Sequence, residues 1–200
     1  MRSNPGDEVS AGAREKIAAV ARRLLEDAAW EELRREHGAA AVSAVRASLR
    51  ALAERRNAYR LYCDGGSHGN PGPSGAGGVI LDEGGREVDR YSVFLGIATN
   101  NQAEYRALLE GLARLLRIGA EEAEIFLDSE LLVNQLDGRY RVRSPELAPL
   151  HREARERIAR LRECRVVHIP REENREADRL AQQAIAGARG GRGGGGSVTL

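Results

Sequence analysis

Four acidic residues stand in parts of the sequence where a lone carboxylate would be costly. Asp64 and Asp128 each end a short apolar run of the kind that is typical of a buried strand. Glu104 and Asp178 each lie beside the apolar stripe of a predicted helix. A carboxylate close to a core needs a partner, because the loss of its hydration is otherwise unfavourable. Any one of these acids could be a helix cap or a surface residue, but the four together are better explained as ligands for hard cations.

The cation that suits such a set is Mg²⁺, which prefers carboxylate oxygens together with retained waters and substrate phosphate. Carboxylates held close together would otherwise repel one another and raise one another's pKa. Two ions roughly 4 Å apart can clamp an in-line displacement at phosphorus. The sequence has no Ser-His-Asp arrangement that would indicate covalent catalysis instead. We therefore expect metal-assisted chemistry at a phosphate group.

The stretch from Tyr62 to Gly78 is rich in glycine and proline. Glycine permits positive φ and a close approach of the backbone to a ligand, and proline stiffens the turn by fixing φ. The spacing Gly72-x-x-Gly75 is not a dinucleotide fingerprint, because the segment after it has the pattern of a strand rather than a helix. We expect a loop that approaches a ligand. Its small residues are Gly65, Gly66, Gly69, Gly72, Gly75, Gly77, Pro71 and Pro73.

Four motifs in order carry a family resemblance: DGGSHGNPGPSG from Asp64, TNNQAEY from Thr99, the pair Asp128-Ser129, and Asn174-x-x-x-Asp178-x-Leu-Ala. Over residues 58–186 the chain resembles ribonuclease H of type 1. The resemblance implies an α/β ribonuclease H-like fold, with a five-stranded mixed sheet flanked by helices. It implies an endonuclease that hydrolyses the RNA strand of RNA/DNA hybrids and leaves 3′-hydroxyl and 5′-phosphate ends.

The resemblance also implies the site residues. Its metal ligands would be Asp64, Glu104, Asp128 and Asp178, holding two Mg²⁺ ions for which Mn²⁺ could substitute. A protein distinguishes RNA from DNA through the 2′-hydroxyl in the wide minor groove. The resemblance implies that Thr99 contacts a phosphate. It also implies that the groove is contacted by Asn70, Asn100 and Asn101 together with the loop residues Gly65, Gly66, Ser67 and Gly69. Asn100 could equally cap a helix, and Glu130 stands where the family often has glutamine.

Three arginines offer a further route to the substrate. Arg139, Arg141 and Arg143 alternate with Tyr140 and Val142. In an extended chain the three guanidinium groups would share one face and form a phosphate track; a solvated charged loop is the alternative. This segment is a short substitute for the longer basic protrusion of some relatives, so we expect a lower affinity for hybrid.

His168 precedes Asp178 by ten positions, at a place where many relatives have a mobile catalytic histidine. Its local sequence, Arg165-Val-Val-His-Ile-Pro170, is instead typical of the end of a strand. We expect a strand histidine with a satisfied hydrogen bond.

Composition sets the remaining bounds. The chain has 200 residues, a hydrophobic fraction of 42% and a net charge of +1, so any nucleic-acid site must come from local patches. Two cysteines without metal spacing do not form a disulfide framework. No apolar run approaches the length of a membrane span, and no signal peptide is recognisable. We expect a reduced, cytoplasmic protein without a membrane partner.

The sequence predicts three regions: a helical extension at 1–57, a catalytic domain at 58–186 and a flexible Gly-rich tail at 187–200. The extension has the pattern of a helical hairpin, with a first helix running from Ala13 toward Gly38 and a second over Val42–Leu52. It is either a scaffold, packing on the catalytic domain, on a second copy or on a protein partner, or a nucleic-acid module. The tail could contact RNA or be a plain disordered end.

A non-catalytic or assembly-type hybrid-binding module with the same fold is the alternative function. Catalytic-domain strands are predicted at 59–64, 76–82, 86–95, 124–128 and 165–169, and helices at 100–118, 129–136, 145–161 and 173–186.

Overall fold

The computed structural model describes residues 11–27, 29–53 and 57–190. The chain divides into two compact units, Met1–Asn57 and Ala58–Leu200. The first unit contains helices and the second contains a sheet with helices around it. The bounds of the helices are α1 Ala11–Asp27, α2 Trp30–His37, α3 Ala39–Ala53, α4 Asn100–Arg117, α5 Glu130–Leu136, α6 Leu147–Ile158 and α7 Arg175–Gly190. Those of the strands are β1 Ala58–Ser67, β2 Gly72–Asp82, β3 Glu87–Ala98, β4 Glu122–Leu127 and β5 Glu163–His168.

The N-terminal unit is built on the packing of α1 against α3. Ala21 and Val42 are the buried apolar residues of its described part. The expected single helix as far as Gly38 is wrong, because the chain leaves helical geometry at Ala29, with ψ at 66°, and starts again as α2. No glycine or proline marks that break in the sequence. The expected stop at Gly38 is confirmed, with φ at 83°.

The second unit is organised on one five-stranded mixed sheet with the order β3-β2-β1-β4-β5. β1 pairs antiparallel with β2, and β2 with β3. β4 runs parallel to both β1 and β5. The ribonuclease H-like arrangement expected from the motifs, a five-stranded mixed sheet flanked by helices, is confirmed.

Helices cover both faces of this sheet. Leu61 and Cys63 of β1 alternate with Tyr62 and Asp64, so the two pairs project to opposite faces. The face of Leu61 packs on α4 in the main core, which continues into α5 and α6. The other face is covered by α7, which packs on β2 through Ala177, Leu180, Ala181 and Ile185.

Most of the Gly-rich stretch is sheet rather than loop, which corrects the expectation from sequence. β1 continues to Ser67 and β2 begins at Gly72, so only residues 68–71 form a turn. Gly65 lies in β1 under α4, where a Cβ would stand 2.1 Å from the carbonyl oxygen of Ala103. Within the stretch, the positive φ belongs to Gly69, at 109°. Gly65, and Gly75 and Gly77 on the face of α7, therefore allow helices to approach the sheet closely.

The C-terminal helix is longer than expected, since α7 continues past Ala186 to Gly190. The predicted start of the flexible tail, at 187, therefore falls inside α7. Residues 191–200 of that tail lie outside the described part of the chain. α6 is shorter than expected at both ends. None of the helices in the described ranges combines the length and the apolarity needed to cross a bilayer.

Candidate active site

Asp64 and Asp128 lie at the same edge of the sheet. β1 and β4 are parallel, and Tyr62 is paired with Phe126 in their register. Each acid follows its paired residue by two positions, so the two carboxylates are level with each other. Asp128 directly follows the last residue of β4, whereas Asp64 lies inside β1, three residues before its end at Ser67. This is the edge of an α/β sheet at which ligands bind.

Two helices bring the other acids to this edge. Glu104 lies in the first turns of α4, which begins after the N-cap Thr99. Asp178 lies in the first turn of α7, and its backbone N–H donates to the carbonyl of Asn174. The charges of Glu104, Asp128 and Asp178 all act on Asp64. The structure therefore brings together the four acids that the sequence analysis singled out.

Burial and mutual repulsion perturb this cluster. Burial, followed by the charges of Asp128, Asp178 and Glu104, raises the pKa of Asp64 from 3.8 to about 7, although a hydrogen bond from the Gly65 N–H opposes the shift. Burial also raises the pKa of Glu104, with a hydrogen bond from Ser129 opposing that shift and the charge of Asp128 adding to it. Like charges that raise one another's pKa in a shared site are typical of cation-binding carboxylates.

All four carboxylates accept hydrogen bonds from protein donors, Asp64 from the Gly65 N–H and Asp178 from the guanidinium of Arg171. Glu104 accepts from the Ser129 hydroxyl at 2.6 Å and from the Asn100 amide at 3.0 Å. Asp128 accepts from the Asn174 amide at 3.1 Å. In this arrangement no three His, Cys, Asp or Glu side chains of the described residues converge on one metal position.

The donor set nevertheless fits a hard divalent cation. All four side chains offer carboxylate oxygens, the ligands that Mg²⁺ takes together with water and phosphate. Burial is the largest cause of the raised pKa of Asp64, and the charges of Asp128, Asp178 and Glu104 add a repulsion that a cation would relieve. The residues that would hold the ions are Asp64, Glu104, Asp128 and Asp178.

The turn between β1 and β2 is held on both sides. Ser67 lies with its hydroxyl 2.5 Å from the carbonyl oxygen of Gly69 and 2.9 Å from that of Ala98. Asn70 accepts a hydrogen bond from the Asn100 N–H at 3.2 Å, which ties the turn to the start of α4. The predicted groove-contacting residues Asn70 and Asn100 are thus in direct contact.

Thr99 and the two asparagines after it have different surroundings. Thr99 is the N-cap of α4 and forms a capping box with Gln102. The capping role that was the alternative for Asn100 is therefore performed by Thr99. The Asn100 side chain is directed to Glu104 instead. Asn101 is exposed on the first turn of α4.

The arginine segment follows α5, the helix that begins two residues after Asp128. Arg139, Arg141 and Arg143 are all exposed, whereas Val142 packs on the core. Arg139 forms an ion pair with the nearby Asp137 at 3.3 Å. Arg141 and Arg143 form no ion pair with the residues that the structure describes, and their guanidinium groups are open to solvent.

His168 is the last residue of β5, as expected from its sequence context. Its side chain is exposed and makes no hydrogen bond to any described residue, so the expected satisfied hydrogen bond is not found. The histidine of the Gly-rich turn, His68, lies with Nε2 2.7 Å from the Gln182 amide oxygen of α7.

Two further side chains lie in the site without having been predicted from the sequence, Arg171 and Asn174. Arg171, on the short 3₁₀ helix Arg171–Glu173, donates to Asp178. Asn174 contacts Asp128 and was noted only as part of the last motif. The sequence around Arg171 has no feature that indicates its contact with Asp178. Asn174, in contrast, precedes Asp178 by four residues, and this interval could have identified Asn174 as a residue at the start of α7.

Comparisons with known proteins agree with this fold. The family profile described as reverse transcriptase-like matches residues 62–184, more than half of the chain. The bifunctional protein Rv2228c of Mycobacterium tuberculosis is 42% identical over 134 residues, which are 64% of this chain and 35% of that protein. The solved N-terminal RNase H domain of Rv2228c, fused to maltose-binding protein, has a TM-score of 0.65 at 38% identity and covers 68% of this chain and 98% of that chain.

Two further relatives carry ribonuclease names. Ribonuclease HI of Halobacterium salinarum is 36% identical over 132 residues, 66% of either chain. The structure of LC11-RNase H1, isolated from compost by a metagenomic approach, in complex with an RNA/DNA hybrid has a TM-score of 0.63 at 40% identity and covers 66% of this chain and 99% of that chain. The chain spans about a third of the length of the first curated relatives that it matches.

The strand order and the flanking helices define a protein of the ribonuclease H-like fold class, with the four acids at one edge of its sheet. With the profile match and these relatives, the chain belongs to the ribonuclease H type 1 family. Members of this family depend on divalent metal ions.

Proposed function

We propose that this chain is an endonuclease that hydrolyses the RNA strand of RNA/DNA hybrids and leaves 3′-hydroxyl and 5′-phosphate ends. The observation that carries the proposal is the convergence of four carboxylates, from β1, α4, the end of β4 and α7, with their charges acting on Asp64. The LC11 relative in complex with a hybrid supports the choice of substrate.

The proposed cofactor is a pair of Mg²⁺ ions, held by Asp64, Glu104, Asp128 and Asp178 and replaceable by Mn²⁺. The chemistry that two bound divalent ions supply is activation of a water and neutralisation of the leaving oxygen. The protein's part is to hold its carboxylates in place. The Ser129 hydroxyl fixes one oxygen of Glu104, and the Asn100 amide fixes the other. Asp64 must lose its proton before it can serve as a ligand, because a metal and a proton compete for the same oxygen.

Substrate recognition is proposed to come from the edge beside the acids. Asn70 and Asn100 touch each other there, with Asn101 exposed next to them. Side chains of this type can contact 2′-hydroxyls across the minor groove. The backbone of Gly65, Gly66, Ser67 and Gly69 and the side chain of Thr99 complete this proposed surface. Arg141 and Arg143, with Arg139 beside them, would add phosphate contacts.

The helical extension is proposed as a scaffold that contacts a second copy of the chain or a protein partner, and the cytoplasm is the proposed compartment. These finer proposals are independent of the nuclease activity. A non-catalytic module with this fold is not favoured, because such a module would be expected to lack an acid and all four are present.

A cleavage assay tests the function. Labelled RNA/DNA, RNA/RNA and DNA/DNA duplexes are incubated with the full chain in Mg²⁺, Mn²⁺ or EDTA. We expect cleavage of the RNA strand of the hybrid alone, in either metal and not in EDTA. Asp128→Asn is the matched control, because a neutral amide is a poor ligand for a hard cation. A wild-type chain that leaves the hybrid intact, or an Asp128→Asn chain that cleaves at near wild-type rate in Mg²⁺, would refute the proposal.

A further inference from the structure

Asn174 connects the chain segments that carry three of the four acids. It lies between the 3₁₀ helix and α7 and is 1% exposed. Its Nδ2 donates to the carbonyl oxygen of Cys63 and to Oδ1 of Asp128, both at 3.1 Å. Its own carbonyl accepts from the N–H of Asp178 at 3.1 Å.

The orientation of this amide follows from its neighbours. Both groups that face Nδ2 are acceptors, a carbonyl and a carboxylate. A flipped amide would set Oδ1 against both of them, which is electrostatically unfavourable. Oδ1 accepts no hydrogen bond from any described group of the protein. All of the side chain's hydrogen bonds to the described protein are therefore donated toward the acidic edge of the sheet.

We propose that Asn174 is a positioning residue that fixes the carboxylate of Asp128 relative to β1 and leaves its second oxygen for a metal ion. This inference rests on the proposed function, since it assigns Asp128 as a ligand. The contact with Cys63 anchors the amide to the residue that precedes Asp64, so one side chain links the carboxylate of Asp128 to the strand that carries Asp64. The backbone carbonyl of Asn174 accepts from the N–H of Asp178, so Asp178 is positioned by the same residue.

A positioning role predicts an effect on metal affinity beyond the effect on stability. Partners that orient metal-ligating carboxylates typically contribute about 10–100-fold to metal affinity. Asn174 does not reach the solvent, and a direct contact with substrate is not expected. Its loss should therefore weaken metal binding and lower kcat, while KM for the hybrid stays close to that of the wild type.

Mn²⁺ binding to the full chain without substrate, measured by calorimetry, is the direct test. Asn174→Ala is compared with Asn134→Ala, which removes a buried asparagine of α5 that bonds to Arg139 rather than to an acid. We expect a loss of about tenfold or more in Mn²⁺ affinity for Asn174→Ala and no change for Asn134→Ala, with circular dichroism and melting temperature recorded for both. If Asn174→Ala does not fold, Asn174→Leu replaces it, because leucine fills a similar volume without a donor.

The outcomes separate this inference from the proposed function. Wild-type Mn²⁺ affinity in a folded Asn174→Ala or Asn174→Leu chain would overturn the positioning role, even if the wild type cleaves hybrid. An equal loss in Asn134→Ala would also overturn it, because the effect would then be one of general stability. A wild type that binds Mn²⁺ but cleaves nothing, with Asn174→Ala weakened, would refute the proposed nuclease and support the role of Asn174.

Discussion

Arg171 donates a hydrogen bond from Nη2 to Oδ1 of Asp178 at 3.1 Å, and so sets a guanidinium group against the acid cluster. This hydrogen bond and the charge of Asp178 raise the pKa of Arg171, and the charges of Asp64 and Asp128 add to the shift. The guanidinium therefore supplies part of the positive charge that the four carboxylates require. It occupies Oδ1 of Asp178, one of the proposed metal ligands.

Replacing Arg171 should strengthen Mg²⁺ binding. Arg171→Ala removes a cation that competes with Mg²⁺, and it frees the Asp178 oxygen that accepts the hydrogen bond of the guanidinium. The side chain of Arg171 is 72% exposed, so we expect at most about a fivefold gain in Mg²⁺ affinity, which corresponds to the ~1 kcal/mol upper value for an exposed ion pair. KM for hybrid should rise, because a cation close to the phosphates is lost.

Mg²⁺ titrations of Arg171→Ala and of Arg160→Ala provide the comparison. Arg160 is an exposed arginine in the turn that leads into β5, at the opposite end of that strand from the acids. Its replacement makes the same change in net charge and should leave Mg²⁺ affinity unchanged. Weaker Mg²⁺ binding in Arg171→Ala would show that the guanidinium supports the metal site instead of competing with it.

Gly77 is required for the contact between β2 and α7. A Cβ at this position would lie 2.2 Å from the carbonyl oxygen of Ala177 and 2.4 Å from the backbone nitrogen of Ala181. Gly77→Ala should therefore lower the free energy of unfolding by about 1–3 kcal/mol, the usual cost of overpacking. Gly187 of α7 is the matched control, because a Cβ there meets nothing within 4 Å. Gly187→Ala should raise stability by about 0.4–1 kcal/mol. Urea unfolding of both variants is the measurement, and equal stabilities would contradict the packing argument.

The glycines also mark how far the sequence could predict this structure. Apolar runs and their period are sufficient to identify the five strands and the helices of the second unit, and the acids that follow apolar runs indicate the site. The same residues do not report which helix lies over which strand, so the sequence predicts Gly65 as part of a loop and does not predict the packing of α7 on Gly77. Arg171 could not be predicted for a related reason. Its contact with Asp178 depends on a 3₁₀ turn that has no periodic signal. The break at Ala29 has no signal either, because helix ends without glycine or proline depend on tertiary context.

Asp64 should make the stability of the metal-free chain depend on pH. Its pKa is raised from 3.8 to about 7 in the folded chain, so between these values the folded state holds a proton that the unfolded state has lost. The contribution of this group to stability therefore falls as the pH rises from about 4 to about 7. Mg²⁺ affinity should rise over the same window, because the cation competes with that proton.

Melting temperatures from pH 4 to pH 8 in EDTA, for the wild type and Asp64→Asn, test this dependence. The amide cannot titrate, so the variant should show a smaller decline than the wild type between about pH 4 and pH 7, with Glu104, whose pKa is also raised, accounting for part of what remains. Parallel profiles for the two proteins would mean that Asp64 does not carry the raised pKa. In excess Mg²⁺, the wild-type decline should become smaller.

The catalytic unit should function without the helical extension. The second compact unit begins at Ala58, and the four acids and all five strands lie within it. A chain that begins at Asn57 should therefore fold and cleave hybrid, with the circular dichroism of a mixed α/β protein. The full-length chain, assayed at the same concentration, is the reference. An insoluble or inactive shortened chain would place the extension within the catalytic core.

His168 ends β5, and its side chain projects to the face of the sheet opposite to that of Asp64. It is paired with Leu127 across β4 and β5, and side chains of paired residues project to the same face of a sheet. Leu127 belongs to the core that packs against α4, whereas the next residue along the chain is Asp128. A general acid or base must come within hydrogen-bond reach of the proton that it transfers, and this placement does not favour that reach.

His168→Ala should therefore reduce turnover on hybrid by less than tenfold. General acid–base catalysis typically contributes about 10²–10⁴-fold, so the loss of a catalytic histidine would exceed that limit. The assay compares kcat of His168→Ala with that of the wild type at saturating Mg²⁺, and melting temperatures are recorded for both. Any larger loss should be accompanied by a lower melting temperature, because the side chain then matters through the stability of β5. A hundredfold drop in kcat at an unchanged melting temperature would identify His168 as the catalytic histidine and refute the interpretation of this residue as a strand histidine.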